Sequence, residues 1–98
     1  MSAIRFDWYS AKAAANLRKH GVGFEEARTA FEDEEALVLT DDEHSVGEER
    51  LVLLGLSAAL RVLVVVHCER REGNVIRIIP ARKADRGERT DYAERRAP

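Results

Sequence analysis

Cysteine is nearly absent from this 98-residue chain, and the single one, Cys68, excludes an internal disulfide framework. No Cys/His spacing resembles a zinc site. Long apolar runs are missing too. The longest, Val62 to Val66, is far short of the roughly 20 residues a membrane helix needs. The N-terminal stretch carries acidic Asp7 and no apolar segment, so no secretion signal is expected. There is no Gly-rich phosphate loop, Gly-x-Ser-x-Gly elbow or nucleotide fingerprint. The expectation is a soluble cytoplasmic protein without membrane contact, whose chemistry, if it has any, needs no cofactor and no metal.

What is present is charge, unevenly placed. The net charge is only −2. Residues 25–49 hold eleven acidic side chains against one basic one, Arg28, whereas residues 70–98 hold nine basic against five acidic. A solvated charged surface accounts for much of this. The basic C-terminal third nevertheless points to a surface for an anion. Direct binding of duplex DNA is disfavoured, because the acidic middle would repel it and no helix gathers base-reading side chains.

The patterning predicts an α+β fold in a single domain spanning residues 1–98. Its antiparallel sheet has four to five strands, with two N-terminal helices and one C-terminal helix collected on one face. Ile4, Phe6 and Trp8 alternate with polar residues and read as a first strand. A helix follows, capped by Asp7 or Ser10, with Ala11, Ala14, Ala15 and Leu17 as its apolar face and Gly21 as its left-handed stop. A second helix runs from about Phe24 to Phe31. Strands are expected at residues 36–40, 50–56 and 61–68 and around Ile76 to Ile79. The last helix spans about Arg86 to Arg95, with Tyr92 and Ala93 facing inward, and Asp85 with Glu88 has the form of a capping box. The apolar hairpin strands leave the sheet's second face in need of cover, which a partner chain could supply.

A two-residue Gly73-Asn74 turn would set Arg70 opposite Arg77, on one face with Cys68, Ile79 and Lys83. Like charges so placed call for an anion or carboxylate between them, and Glu72 on the same face could serve. The opposite face would carry His67 across from Pro80 and diagonal to Arg82, where a guanidinium would keep the imidazole neutral. A buried sheet histidine bonded to backbone is the plainer reading of His67. Pro80, lacking an amide hydrogen, suggests a bulge that would re-aim Arg82. Lys19 and His20 suit a helix C-terminus for structural reasons, and His20 is also an acid/base candidate. Asp41, His44, Glu48 and Glu49 are too unspecific to mark a metal site. Glu49 and Arg50 read as an ion pair at the start of a strand, Trp8 as core or interface, and Cys68 as a small apolar filler.

Phe6-Asp7-Trp8, Lys12, Asn16, Lys19-His20-Gly21-Val22, Phe24-Glu25, Glu49-Arg50, Ile76-Arg77-Ile78-Ile79, Ala81-Arg82-Lys83-Ala84, Glu88 and Tyr92 together resemble the BrnT toxin family over about residues 5–94. The resemblance implies a fold related to RelE-type toxins and a ribonuclease that blocks translation. It also implies a cognate BrnA-like antitoxin with a ribbon-helix-helix part, through which the complex would reach DNA only indirectly. The chain departs from the family pattern at Tyr9, Ser10 and Pro80. Pro80 stands where serine is usual, which would weaken activity if that serine touches RNA.

Metal-free RNA cleavage needs a base for the 2′-hydroxyl, cations for the crowded phosphate and an acid for the leaving oxygen. Under this reading Arg77 and Arg82 stabilise the phosphate. His20, with Lys19 beside it, or else His67 serves as acid/base. Arg70, Lys83 and Arg86 position the RNA backbone, and Tyr92 stacks or packs. The alternative is a catalytically inactive interaction module that keeps antitoxin binding and a co-repressor role.

Overall fold

The computed structural model describes residues 4–45, 47–70 and 74–96. Its elements are β1 (Arg5–Asp7), α1 (Ser10–His20), α2 (Phe24–Thr29), β2 (Leu37–Thr40), β3 (Arg50–Leu56), β4 (Val62–Arg70), β5 (Val75–Lys83) and α3 (Arg86–Arg96). Single 3-10 turns occupy Ala30–Glu32 and Asp42–His44.

The five strands form one sheet in the order β1-β5-β4-β3-β2. β2 to β5 make the expected antiparallel meander, but β1 runs parallel to β5, so the sheet is mixed. The reason is topological: after β1 the chain passes through α1 and α2, and a crossover of that length allows a parallel neighbour.

The helices are also divided between the two faces rather than gathered on one. Val22, Phe24, Ala27 and Ala30 bury against Leu53, Leu63, Val65, Ile78 and Ala81 on one face. Tyr92 of α3 and Ala84 pack with Leu54 and Val64 on the other. Much of the cover expected from a partner is therefore supplied by the chain's own last helix. Burying one Leu or Val side chain contributes about 1.5–3 kcal/mol, and Leu63 and Val65 are fully buried. Gly55 allows the Ala30 turn to lie on β3, since an added Cβ would meet the Ala30 carbonyl at 2.9 Å.

Two connections fix α3. Asp85 and Glu88 form the capping box, each side chain accepting the other's backbone amide at 2.8 and 2.9 Å. Tyr92, 3% exposed, donates its hydroxyl to Asp33 Oδ2, which also accepts the Leu56 amide at 2.8 Å. Ala93, expected inward, is exposed.

The β4–β5 register departs from the simple hairpin, and the expected Glu72-Gly73-Asn74 turn falls largely outside the described residues. Arg70 pairs with Val75 and Cys68 with Arg77, so the two arginines do not stand opposite each other. Further along, His67 pairs with Ile78 and Val65 with Ala81. Ile79 and Pro80 therefore share one position opposite Val66, a bulge at the residue that cannot donate to the ladder. One extra residue exchanges the faces of everything after it. Arg82 joins Arg70 and Arg77 on the α3 face, and Lys83 moves to the face of His67.

Candidate functional site

α1 begins after Tyr9 without a side-chain cap and ends at Gly21, whose φ of 70° is the left-handed stop. Its buried residue is polar. Asn16 is 7% exposed, whereas Ala11, Ala14, Ala15 and Leu17, expected as the apolar face, are exposed. Asn16 Nδ2 donates to the Ala81 and Val22 carbonyls at 2.7 and 2.8 Å, and its Oδ1 accepts the Ala81 amide at 3.1 Å. β1 stops at Asp7, level with Arg77, so the Asn16 amide takes a strand's place against Ala81. That contact locks α1 to β5 just past the bulge.

Between the two lies a groove of ≈ 290 Å³, lined by Lys12, Ala15, Asn16, Lys19, His20, Ile79 and Pro80. Three of these side chains are basic and none is acidic. The helix C-terminus accounts for Lys19 and His20 but not for Lys12, two turns earlier. The bulge supplies the groove's floor: Ile79 and Pro80 turn towards α1 because the ladder opens there.

The arginines of β5 are placed differently. Arg77 Nε and Nη2 donate to the two Asp7 carboxylate oxygens at 2.9 and 3.2 Å. Its guanidinium lies 4.6 Å from the centroid of the Tyr9 ring, which Lys12 also approaches at 5.6 Å. Arg77 hydrogen bonds hold the Asp7 carboxyl below its ordinary range, with added pull from the charges of Arg77, Arg70 and Arg5. Arg82 donates both Nη atoms to Glu88 at 2.7 and 2.9 Å, and Glu88 is likewise held low by Arg82. Such two-point pairs are the strongest arrangement a guanidinium makes with a carboxylate. Both forks expected to grip phosphate are thus occupied by the protein itself.

The remaining expected site residues are scattered. His67 is 2% exposed on the face covered by α2, edge-on to Phe31 at 4.7 Å, with Nδ1 3.2 Å from the Val65 carbonyl. Burial pushes its pKa below the ordinary 6.5. It meets neither Pro80 nor Arg82, since the register shift puts Arg82 on the opposite face. Tyr92 packs and is not exposed for stacking. Arg70 pairs with Glu48 at 3.1 Å, and the expected Glu49–Arg50 pair is not among the ion pairs of the described residues. Lys83 and Arg86 are exposed at the β5–α3 junction. Cys68 is buried, and its thiol is pushed up to about 11 by burial and by the neighbouring Glu48. Among the described residues no group of three or more His, Cys, Asp or Glu could hold a metal ion. Lys12 was not singled out from spacing. Its position one turn before Asn16 and two before Lys19 was the available signal.

The small α+β domain thus carries a cation-rimmed groove with no carboxylate in its lining. Residues 8–88 match the family described as ribonuclease toxin, BrnT, of type II toxin-antitoxin systems, and the chain belongs to that family. The fold is similar to the 1.1 Å crystal structure of the Brucella abortus ribonuclease toxin BrnT, with a TM-score of 0.62 and 20% identity, covering 88% of this chain and 100% of that one. No curated protein matches the sequence. Membership of a type II system implies an antitoxin partner. Among the described residues no helix is long and apolar enough to cross a membrane.

Proposed function

We propose that this chain is a metal-independent endoribonuclease that inhibits translation by cutting RNA in the groove between α1 and the β5 bulge. The observation that carries this reading is the lining of that groove: Lys12, Lys19 and His20 converge there with no acidic residue. A phosphodiester entering it meets cations that no carboxylate among the described residues has already claimed, and none of those residues forms a carboxylate set that could seat a divalent ion.

In this reading His20 removes the proton from the ribose 2′-hydroxyl. The 2′-oxygen bonds to phosphorus, the bond to the 5′-oxygen breaks, and the Lys19 ammonium supplies the proton that oxygen needs. Lys12 and Lys19 offset the charge that builds on the phosphoryl oxygens. The products are a 2′,3′-cyclic phosphate and a 5′-hydroxyl. Arg77 and Arg82 act chiefly by holding β1 and α3 against β5, and phosphate reaches their forks only in competition with Asp7 and Glu88. Pro80 stands in the groove floor, where it shapes the bulge and offers no hydroxyl or amide hydrogen to RNA.

The cognate antitoxin is a ribbon-helix-helix protein that neutralises the enzyme and brings the complex to DNA. The test is cleavage of single-stranded RNA by the purified chain in the presence of a metal chelator. Lys19→Ala and His20→Ala should each lower the rate on the order of 100-fold, and growth arrest on expression should disappear with the antitoxin present. Unchanged cleavage in both variants would sink the assignment.

A further inference from the structure

A second cavity, of ≈ 240 Å³, lies at the other end of β5 and is lined by Arg5, Asp7, Arg70, Val75 and Arg77. The register builds it. β1 sets Arg5 beside Val75 and Asp7 beside Arg77, and β4 sets Arg70 against Val75 from the other side. Three guanidiniums thus share one cavity with one carboxylate. Asp7 accounts for Arg77, and Glu48 engages Arg70, with both partners' side chains 42% exposed. Among the described residues Arg5 has no ion-pair partner within 4 Å. Like charges gathered in this way are unfavourable unless an anion joins them, and the guanidinium fork suits phosphate oxygens.

One exposed ring relates this cavity to the groove. Tyr9, 56% exposed, has Arg77 at 4.6 Å and Lys12 at 5.6 Å from its ring centroid, and Lys12 lines the groove. Cation, aromatic ring and cation in series are the elements from which single-stranded nucleic acid sites are made: phosphates follow the charges and a base lies against the ring.

We propose that the Arg5–Arg70–Arg77 cavity binds a backbone phosphate of single-stranded RNA flanking the bond cut in the groove, with Asp7 competing for Arg77. The inference rests on the RNA reading of the groove and adds a subsite to it. Asp7 sets the strength of that subsite, because every phosphate bound there must draw Arg77 partly away from it.

The test uses the full chain with a short single-stranded RNA oligonucleotide, a dinucleotide and inorganic phosphate as probes. The double variant Arg5→Ala/Arg70→Ala alters two exposed side chains, so its thermal melt should match the parent. It should raise KM for the oligonucleotide about tenfold and reduce the salt dependence of binding by about one to two phosphate contacts. Dinucleotide cleavage and kcat should stay as they are. Asp7→Asn should shift the other way, tightening oligonucleotide and phosphate binding, while the distant charge control Glu34→Gln leaves both unchanged. An unaltered KM in the double variant, a loss confined to kcat, or weaker binding in Asp7→Asn would overturn the proposal. So would loss of antitoxin affinity with RNA binding intact, because the cavity would then belong to a protein partner. If the parent chain cuts no RNA, the groove reading fails by itself, and oligonucleotide binding by fluorescence anisotropy in the same variants still decides the cavity.

Discussion

Two sets of cations lie on neighbouring elements, α1 and β5, and they differ in one respect. Arg77 and Arg82 each hold a carboxylate by two hydrogen bonds, whereas Lys12, Lys19 and His20 face a groove with no acidic lining. A charge count treats these residues alike. For an incoming phosphate they are unequal, since it must displace Asp7 or Glu88 from the first set, whereas among the described residues no carboxylate pairs with the second. The availability of a cation therefore depends on what already compensates it.

The largest effect should come from the side chain that builds the open set. Asn16→Ala removes three buried hydrogen bonds and leaves Ala81 and Val22 backbone groups unpaired. A loss of roughly 3 kcal/mol is expected, read as a lower urea midpoint, with RNA cleavage lost as α1 separates from β5. Stability near the parent value would show that α1 is held by other contacts and would break the comparison at its structural root.

His67 comes next. Its pKa is depressed by burial, so the folded chain keeps it neutral while the unfolded chain takes up a proton below the ordinary 6.5. The stability it contributes is complete above that value and is lost as pH falls towards the depressed one. The slope is at most about 1.4 kcal/mol per pH unit. His67→Leu should flatten this part of the stability–pH curve while leaving cleavage at neutral pH in place. A loss of cleavage with the fold intact would return His67 to the site.

The smallest effect should be that of the clamps. Arg82→Ala should cost about 0.5–1 kcal/mol, because the pair is partly exposed. Glu88 is held low by Arg82, so the pair's contribution is present above the ordinary carboxylate value of 4.5 and disappears as pH falls through the lower folded value. The difference between Arg82→Ala and the parent should therefore vanish in acid, measured by denaturant unfolding across pH. A constant difference would mean that Arg82 acts by packing.

Much of the fold was legible in the sequence where the signal is local. The strand at residues 50–56, the Gly21 stop, the Asp85/Glu88 capping box and a bulge at Pro80 all follow from short-range chemistry. What escaped is non-local. A three-residue β1 carries no mark of its parallel partner 70 positions away, nor does Asp7 of its bond to Arg77. Composition favoured alanines as the inner face of α1, but the open edge of β5 at Ala81 needed an amide, and that need is visible only once β1 is seen to stop. Pro80 signals the bulge and a re-aimed Arg82, but not the face Arg82 reaches, beside Arg77, nor the move of Lys83 away from it. The capping box alone accounts for Glu88 in the sequence, so its second bond, to Arg82, leaves no separate local mark.

Either the open cations or the clamped ones meet the scissile phosphate. The most direct measurement is the cleavage rate of one single-stranded RNA by Lys19→Ala and Arg82→Ala side by side, at neutral pH with a metal chelator and with equal folded fractions confirmed. A fall on the order of 100-fold for Lys19→Ala, with Arg82→Ala close to the parent, is the expected result. The reverse order, with Arg82→Ala inactive and Lys19→Ala unimpaired, would contradict it.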